Sequence, residues 1–373
     1  MIRRTDRYVF RVFLGSLAVG VLFATGLLLL TDQFQHFDDL IVASKKLRQK
    51  GEPELARAIF PMAVKYYSFE IAIRFFQFAP FVTFFAAVFT AARLHRNHET
   101  VALLASGTSL QRGFVAIFAG AVLIAGIQLS FREYLLPGIA RDQAVLQTIL
   151  FKAEPRHVVK NLAVVDSRGN RYTWELYDPK AESGTGFQGN SSDGQKFKNI
   201  SASDGKFTVG GGDGPLALTN GKLKSIARLM PESSESKAIE TLPAEFTLTS
   251  RDCEVAARAQ GDPGYLSISE LDMYAGRMKG SIKYQIALHS AFAFAIANLI
   301  LPLLGLPCVL RSDRRSTLEG AIIAFGLVIA YYAATLICFQ LGEQGAVGAV
   351  FAAWLPTVVF GSLGITFFES MRS

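Results

Sequence analysis

The sequence predicts a polytopic α-helical membrane protein, six transmembrane helices with an inserted all-β domain, and three observations predict it. Half of the 373 residues are hydrophobic and the mean hydropathy is positive, +0.29, too apolar for most soluble enzymes. Six windows are long and apolar enough for a bilayer, which needs roughly 20 such residues per helix. They are Val9 to Leu30, Ile71 to Ala92, Phe114 to Tyr134, Ile286 to Leu306, Ala321 to Leu341 and Ala346 to Phe368. Between the third and fourth windows the character changes to a long hydrophilic segment with β-branched and aromatic stretches separated by turn residues.

The first window follows Arg3, Arg4 and Arg7. It is too long for a secretory signal and lacks a small-residue cleavage site, so it reads as a retained span. Arg93, Arg96 and Arg112 flank the connection from the second window to the third, and Arg311, Arg314 and Arg315 fill that from the fourth to the fifth. The positive-inside rule makes these three basic clusters cytoplasmic. Six spans then put both termini inside and the β-insert outside. The segment 45-KKLRQK-50 runs against this bias, partly balanced by acidic residues from Asp38 to Glu54.

The net charge of +7 therefore reports membrane orientation rather than a nucleic-acid partner, because no basic patch is interleaved with aromatics. Of three cysteines, Cys308 and Cys338 fall in spans and only Cys253 in the hydrophilic segment. No disulfide framework follows from that pattern.

Between the second and third windows, 98-HETVALLASGTSLQRGF-114 predicts a short helix. Asn97 is placed to cap it, Glu99 sits where the helix dipole favours an anion, and Gly107 follows as a stop. Val101, Leu104 and Ala105 share a face at helical spacing, with Thr108 continuing it.

In the insert, 157-HVVKNLAVVD-166, 171-RYTWELYD-178 and 244-AEFTLTS-250 read as strands, bounded by turns such as 167-SRGN-170 and 178-DP-179. From Ser183 to Gly221 glycine, serine, asparagine and aspartate dominate; the strand signal is weakest there, and part of the segment is expected as a mobile loop. In 267-SISELDMYAGRMKG-280, Ser267 and Glu270 form a capping box ahead of an amphipathic helix that links the insert to the fourth span.

Catalytic chemistry is sparse. Neither 205-GKF-207 nor 221-GKL-223 carries the upstream glycine and following hydroxyl of a phosphate-binding loop, so any work must be driven by a separate ATPase. Ser106, His289 and Ser290 are the pieces of a nucleophile-and-base pair, with nothing to bring them together. The five histidines and three cysteines show no metal-ligand spacing. Asn190 and Asn199 match the glycosylation acceptor pattern, which is too short to be specific.

Within the second window, Glu70 and Arg74 are four residues apart and pair on one helix face. That pair is either a headgroup-level ion pair or a cation lining a path for an anionic headgroup. Gly305, Gly326, Gly361 and Gly364 allow helices to approach closely.

The stretch 301-LPLLGLPCVLRSDRRSTLEGAIIAFGLVIAYY-332, then 341-LGEQGAV-347 and 354-WLP-356, resembles the lipopolysaccharide-export permease family of the LptF/LptG type. So do 99-ETVALLASGTSLQR-112, 132-REYLLPGIARDQ-143 and 175-ELYDP-179, in order along nearly the whole chain. The resemblance implies a non-enzymatic, multi-pass subunit of the cell inner membrane. It would pair with a sister permease subunit over a dimer of cytoplasmic ABC ATPases, with no cofactor of its own and ATP used by the partner. It would extract lipopolysaccharide or a related glycolipid and pass it, through a periplasmic jellyroll-like β-domain, to a periplasmic β-jellyroll bridge protein.

The family's coupling helix maps near residues 98–107, giving Glu99, Leu103, Leu104, Ser106 and Gly107 as ATPase-coupling candidates. The family's cations at the outer end of span one are replaced here by 31-TDQFQHFDD-39, and those near the start of span four by His289, Ser290 and Ala291. The headgroup candidates are then Lys45, Lys46, Arg48 and Arg74. The expected divisions are 1–136 for spans one to three, 137–266 for the β-domain, 267–284 for the linking helix and 285–373 for spans four to six. The rival reading is a membrane-anchored scaffold whose β-domain binds a partner without transport.

Overall fold

A computed structural model describes residues 4–107, 109–193, 196–208, 215–227, 230–278, 281–310 and 317–371. Arg3, Thr108, Lys279, Gly280, Arg311, Arg314 and Arg315, each used in the sequence reading, lie outside them. The chain divides into two compact units, the first built from residues 1–35, 67–135 and 282–373 and the second from 36–66 and 136–281.

Eleven α-helices are described, beginning with α1 (Arg4–Gln49), α2 (Pro53–Arg57), α3 (Ile59–Arg96), α4 (Glu99–Ala105) and α5 (Leu110–Ser130). One π-helical turn, Phe131–Leu135, carries α5 into α6 (Leu136–Lys152). After the sheet come α7 (Ser250–Gly261), α8 (Ile268–Arg277), α9 (Ile282–Leu310), α10 (Thr317–Glu343) and α11 (Ala349–Glu369). Six helical segments are long and apolar enough to cross a membrane. Five predicted windows lie wholly inside them, and the sixth helix starts at Ala349, three residues after the predicted Ala346.

In the first unit α9 is the most buried span and packs on α5, α10 and α11. Small residues make that closeness possible. A Cβ at Gly305 would stand 2.5 Å from the Phe84 ring, one at Gly361 3.3 Å from Ile300, and one at Gly364 3.1 Å from Leu303. A Cβ at Gly326, grouped with these from sequence, would meet nothing within 4 Å among the described residues. The core gathers Phe13, Phe84, Phe114, Leu301, Leu304 and Tyr331 from five helices.

The second unit takes in residues 36–66, which the sequence reading left with the membrane spans. The reason lies in α1, which runs on as helix past its apolar window because neither glycine nor proline occurs between Gly26 and Gly51, where φ is +81°. Ala43 and Leu47, four apart on one face, are buried. The Phe151 ring of α6 lies 4.9 Å from His36 and 5.3 Å from Tyr66. Lys50 Nζ donates to the Ala153 carbonyl at 2.9 Å.

The sheet has six antiparallel strands in sequential order: β1 (Val159–Val165), β2 (Arg171–Asp178), β3 (Ser183–Asp193), β4 (Lys196–Phe207), β5 (Leu216–Ala227) and β6 (Met230–Thr241). Sequential neighbours make it a meander; a two-sheet Greek key would set non-consecutive strands side by side. Glycine-rich residues 183–221, where the strand signal is weakest and part was expected as loop, are largely strand, paired from Ser183 opposite Lys206 to Asp193 opposite Lys196. Glycine is tolerated there because Trp174 needs room: a Cβ at Gly184 or Gly205 would sit 2.7 Å from the indole. Residues 194–195 and 209–214 of that segment lie outside the described residues.

Two sequence expectations fail here. Residues 244–250, read as a strand, form no ladder. The Thr247 N–H instead donates to the Asp166 carboxylate at 3.0 Å, and Thr249 caps α7 in a capping box with Asp252. The insert is also not all-β, because α7 packs against β1.

Asp166 organises the predicted 167–170 turn. Fully buried, its carboxylate accepts from Arg168 N, Asn170 N and Asn170 Nδ2 at 2.9 Å each and from Tyr172 Oη at 2.7 Å. Burial pushes its pKa up, but these bonds, led by that from Tyr172, outweigh burial and hold it below the usual 3.8.

Helices α7 and α8 hold each other reciprocally. Glu270, the capping-box carboxylate of α8, takes a bidentate pair from Arg258 of α7 at 2.5 and 3.0 Å, with both side chains 9% exposed. Asp252, the capping-box carboxylate of α7, takes Arg277 Nη1 of α8 at 2.5 Å. The linking helix predicted over 267–280 thus exists, with its Ser267–Glu270 box, but its Leu271 and Tyr274 are buried and it belongs to the second unit.

Candidate functional site

The connection between α3 and α5 is a short helical knob with a closed frame. His98 takes the left-handed region at φ 58° and occupies the N-cap without a side-chain cap bond. Asn97, expected as the cap, instead donates from Nδ2 to Glu99 Oε1 at 3.3 Å. At the other end Gly107 has φ +73° and its N–H returns to the Leu104 carbonyl at 2.9 Å. That is the left-handed stop only glycine adopts without strain.

Within α4 the side chains divide by face. Thr100 is buried and contacts His95 Nδ1 at 3.4 Å, while Val101 is 59% and Leu104 39% exposed. Leu103 is half-buried, its Cδ1 3.4 Å from where a Cβ on Gly113 would stand. Ser106 Oγ donates to the Leu103 carbonyl at 2.7 Å. Of the two leucines singled out from sequence, Leu104 therefore faces outward and Leu103 locks the knob onto α5.

Sequence reasoning missed how the knob is tied to the start of α1. Tyr8 Oη donates to Glu99 Oε1 at 3.0 Å, and Arg112 Nη2 donates to Asp6 Oδ2 at 3.2 Å. Gln111 Nε2 reaches the Phe368 carbonyl near the end of α11 at 3.2 Å. The Ser109 side chain caps α5 by accepting from Arg112 N at 3.3 Å. Arg112 was read only as an orientation signal; the acidic Asp6 among basic residues was the one hint of a partner.

The headgroup candidates divide between the units. Lys45, Lys46 and Arg48 are exposed in the last turns of α1, within the second unit. Arg74 belongs to the first unit, where its Nε lies 2.6 Å from Glu70 Oε1, so the predicted four-residue pair forms. The serines weighed as nucleophiles donate to backbone carbonyls, Ser290 to Ala287 at 2.9 Å as Ser106 does to Leu103. Among the described residues no cluster of histidine, cysteine and carboxylate side chains is arranged to hold a metal.

The family model of the lipopolysaccharide export system permease LptF/LptG matches residues 7–370. The chain belongs to the LptF/LptG family. Its members are transport permeases of lipopolysaccharide export, and six apolar helices with an antiparallel sheet between the third and fourth agree with that membership. No curated protein matches the chain in a direct sequence comparison. At the knob, residues 99–105, an exposed apolar face formed by Val101 and Leu104 lies beside Glu99, whose carboxylate is held by Tyr8.

Proposed function

We propose that this LptF/LptG chain is one permease half of an ABC-type exporter in the cell inner membrane. It pairs with a sister subunit or a second copy of itself, and a separate cytoplasmic ATPase dimer drives it. The observation that carries this reading is α4: a rigid seven-residue helix, framed at both ends, showing Val101 and Leu104 outward beside Glu99. Exposed aliphatic side chains flanked by one ordered charge suit a groove in a partner protein. Closure of the ATPase dimer then moves α3 and α5 together, because Leu103 and Ser109 fix the knob to α5 and His98 joins it to α3.

In this reading the spans of the two subunits enclose a cavity that takes lipopolysaccharide or a related glycolipid sideways. Lys45, Lys46, Arg48 and Arg74 meet its phosphates. An ammonium or guanidinium on phosphate is a charge-assisted bond, and for Arg74 it requires exchange of Glu70 for the lipid. Collapse of the cavity ejects the lipid toward the β-domain, which lies in the periplasm and continues into a jellyroll-like bridge protein.

The test is purification of the chain with its ATPase, followed by measurement of ATP-driven lipid release. Glu99→Lys with Leu104→Asp is expected to abolish ATPase capture and release while leaving the chain folded. Undiminished release from that double variant refutes the coupling role. Mass spectrometry of lipid retained by the same preparation identifies the cargo.

A further inference from the structure

Three spans of the first unit are joined by a polar circuit that begins and ends on the same helix. Pro80 lies inside α3 and has no N–H, so the carbonyl of Phe76, four residues back, loses its helical partner. In hydrocarbon no water replaces it. Gln128 Nε2 of α5 does, donating to the Phe76 carbonyl at 2.9 Å.

Gln128 is held in turn. Its Oε1 accepts from Asn298 Nδ2 of α9 at 2.7 Å, and the second Nδ2 hydrogen goes to the Ala295 carbonyl at 3.0 Å. Asn298 Oδ1 accepts from Thr83 Oγ1, back on α3, at 3.0 Å. Thr83 shares its one proton with the Ala79 carbonyl at 2.8 Å. Turning either amide over would set oxygen against oxygen, so the whole circuit admits one orientation. Thr83 and Asn298 are fully buried.

The circuit sits beside a helix-internal proline and a π-helical turn. Phe76 and Thr83 stand on opposite sides of Pro80, so the two arms of α3 are tied through α5 and α9. The Phe76 ring stacks on Phe131, centroids 3.9 Å apart, and Phe131 opens the π-helical turn that ends α5. Proline breaks and π-turns are the usual places of sharp bending. In α9, Pro302 likewise withholds an N–H from the carbonyl of Asn298 itself.

We propose that Gln128 and Asn298 are positioning residues that set the bend of α3 at Pro80. Releasing the Gln128 bond to Phe76 frees the arm that runs from Pro80 to Arg96 and into α4. That arm is about 24 Å long at 1.5 Å per residue, so a change of bend of about 20° moves its tip by about 8 Å. That α4 couples to an ATPase rests on the function proposed above; the brace itself does not.

The experiment uses the full chain in phospholipid nanodiscs, with spin labels on non-cysteine unnatural residues at Arg96 and Ile365, both exposed. Gln128→Met keeps the side chain's length and removes its donor. It is expected to shift or broaden the distance distribution by about 5 Å or more. Pro80→Ala restores the N–H for Phe76, so Gln128→Met added to Pro80→Ala is expected to leave the distance of Pro80→Ala alone unchanged. A Gln128→Met chain that folds only in the Pro80→Ala background shows the same rescue. Equal shifts in both backgrounds, or no shift in either, overturn the proposal. No ATPase enters the measurement, so a chain that shows the rescue but exports no lipid keeps the brace and refutes only the permease reading.

Discussion

Replacing Arg258 by leucine tests whether the reciprocal clasp of α7 and α8 carries the stability of the second unit. Both side chains of the Arg258–Glu270 pair are 9% exposed, so solvent screening that makes surface pairs nearly worthless is largely absent. Leucine fills most of the arginine's volume and leaves Glu270 an unpaired buried carboxylate. Breaking such a pair from one side costs about 3–5 kcal/mol, a large share of the 5–15 kcal/mol typical of a domain. In hydrogen exchange on the full chain, amides of α7 and α8 should exchange at least about 100-fold faster, since each 1.4 kcal/mol is tenfold. Replacing both Arg258 and Glu270 by leucine should recover most of that loss, short of about 1 kcal/mol for the lost cap on Ser267. A change below about tenfold in the single variant would refute the assignment, and so would a double variant no better than the single.

Three further outcomes are expected. Asp166 has a folded pKa below its unfolded value of 3.8, so its contribution is present above pH 3.8 and is lost as pH falls through the folded value. Acid titration of unfolding should show this loss in the native chain and not in Asp166→Asn. Gly305→Ala sets a Cβ 2.5 Å from the Phe84 ring and 2.9 Å from Val88, and thermal unfolding in detergent should report a loss of about 1–3 kcal/mol. Tyr8→Phe removes the donor to Glu99 at an exposed site; unfolding should change by no more than about 0.5 kcal/mol. Under the function proposed above, titration with a partner ATPase should show tighter binding, because Glu99 then keeps only the Asn97 donor.

Features written in runs or fixed local offsets were legible from sequence: the six apolar windows, the Ser267–Glu270 box, the Glu70–Arg74 pair and the glycine that stops α4. What escaped depended on distant partners. Composition blurred the strand signal over residues 183–221, yet burying Trp174 needs glycines on the neighbouring strands. Residues 244–250 have strand propensity, but Asp166 claims the Thr247 N–H from 81 positions away. In the spans, attention to charges passed over Gln128, Asn298 and Pro80. A proline and two amides inside apolar windows are a readable sign that some carbonyl needs a donor, although which one only packing decides. At the knob, Glu99 and Leu104 were singled out from sequence as coupling candidates, whereas the ties from Asp6 and Tyr8 cross about a hundred residues and carry no periodic mark.

Cys253 is one of three free thiols and is fully buried beneath the sheet, where burial holds it well above the ordinary thiol range. Protonated and sealed, it is no nucleophile while the core stays shut. The chain therefore contains its own stopwatch: the pace at which a bulky alkylating reagent consumes this sulfur counts how often the interior opens, with no foreign label required.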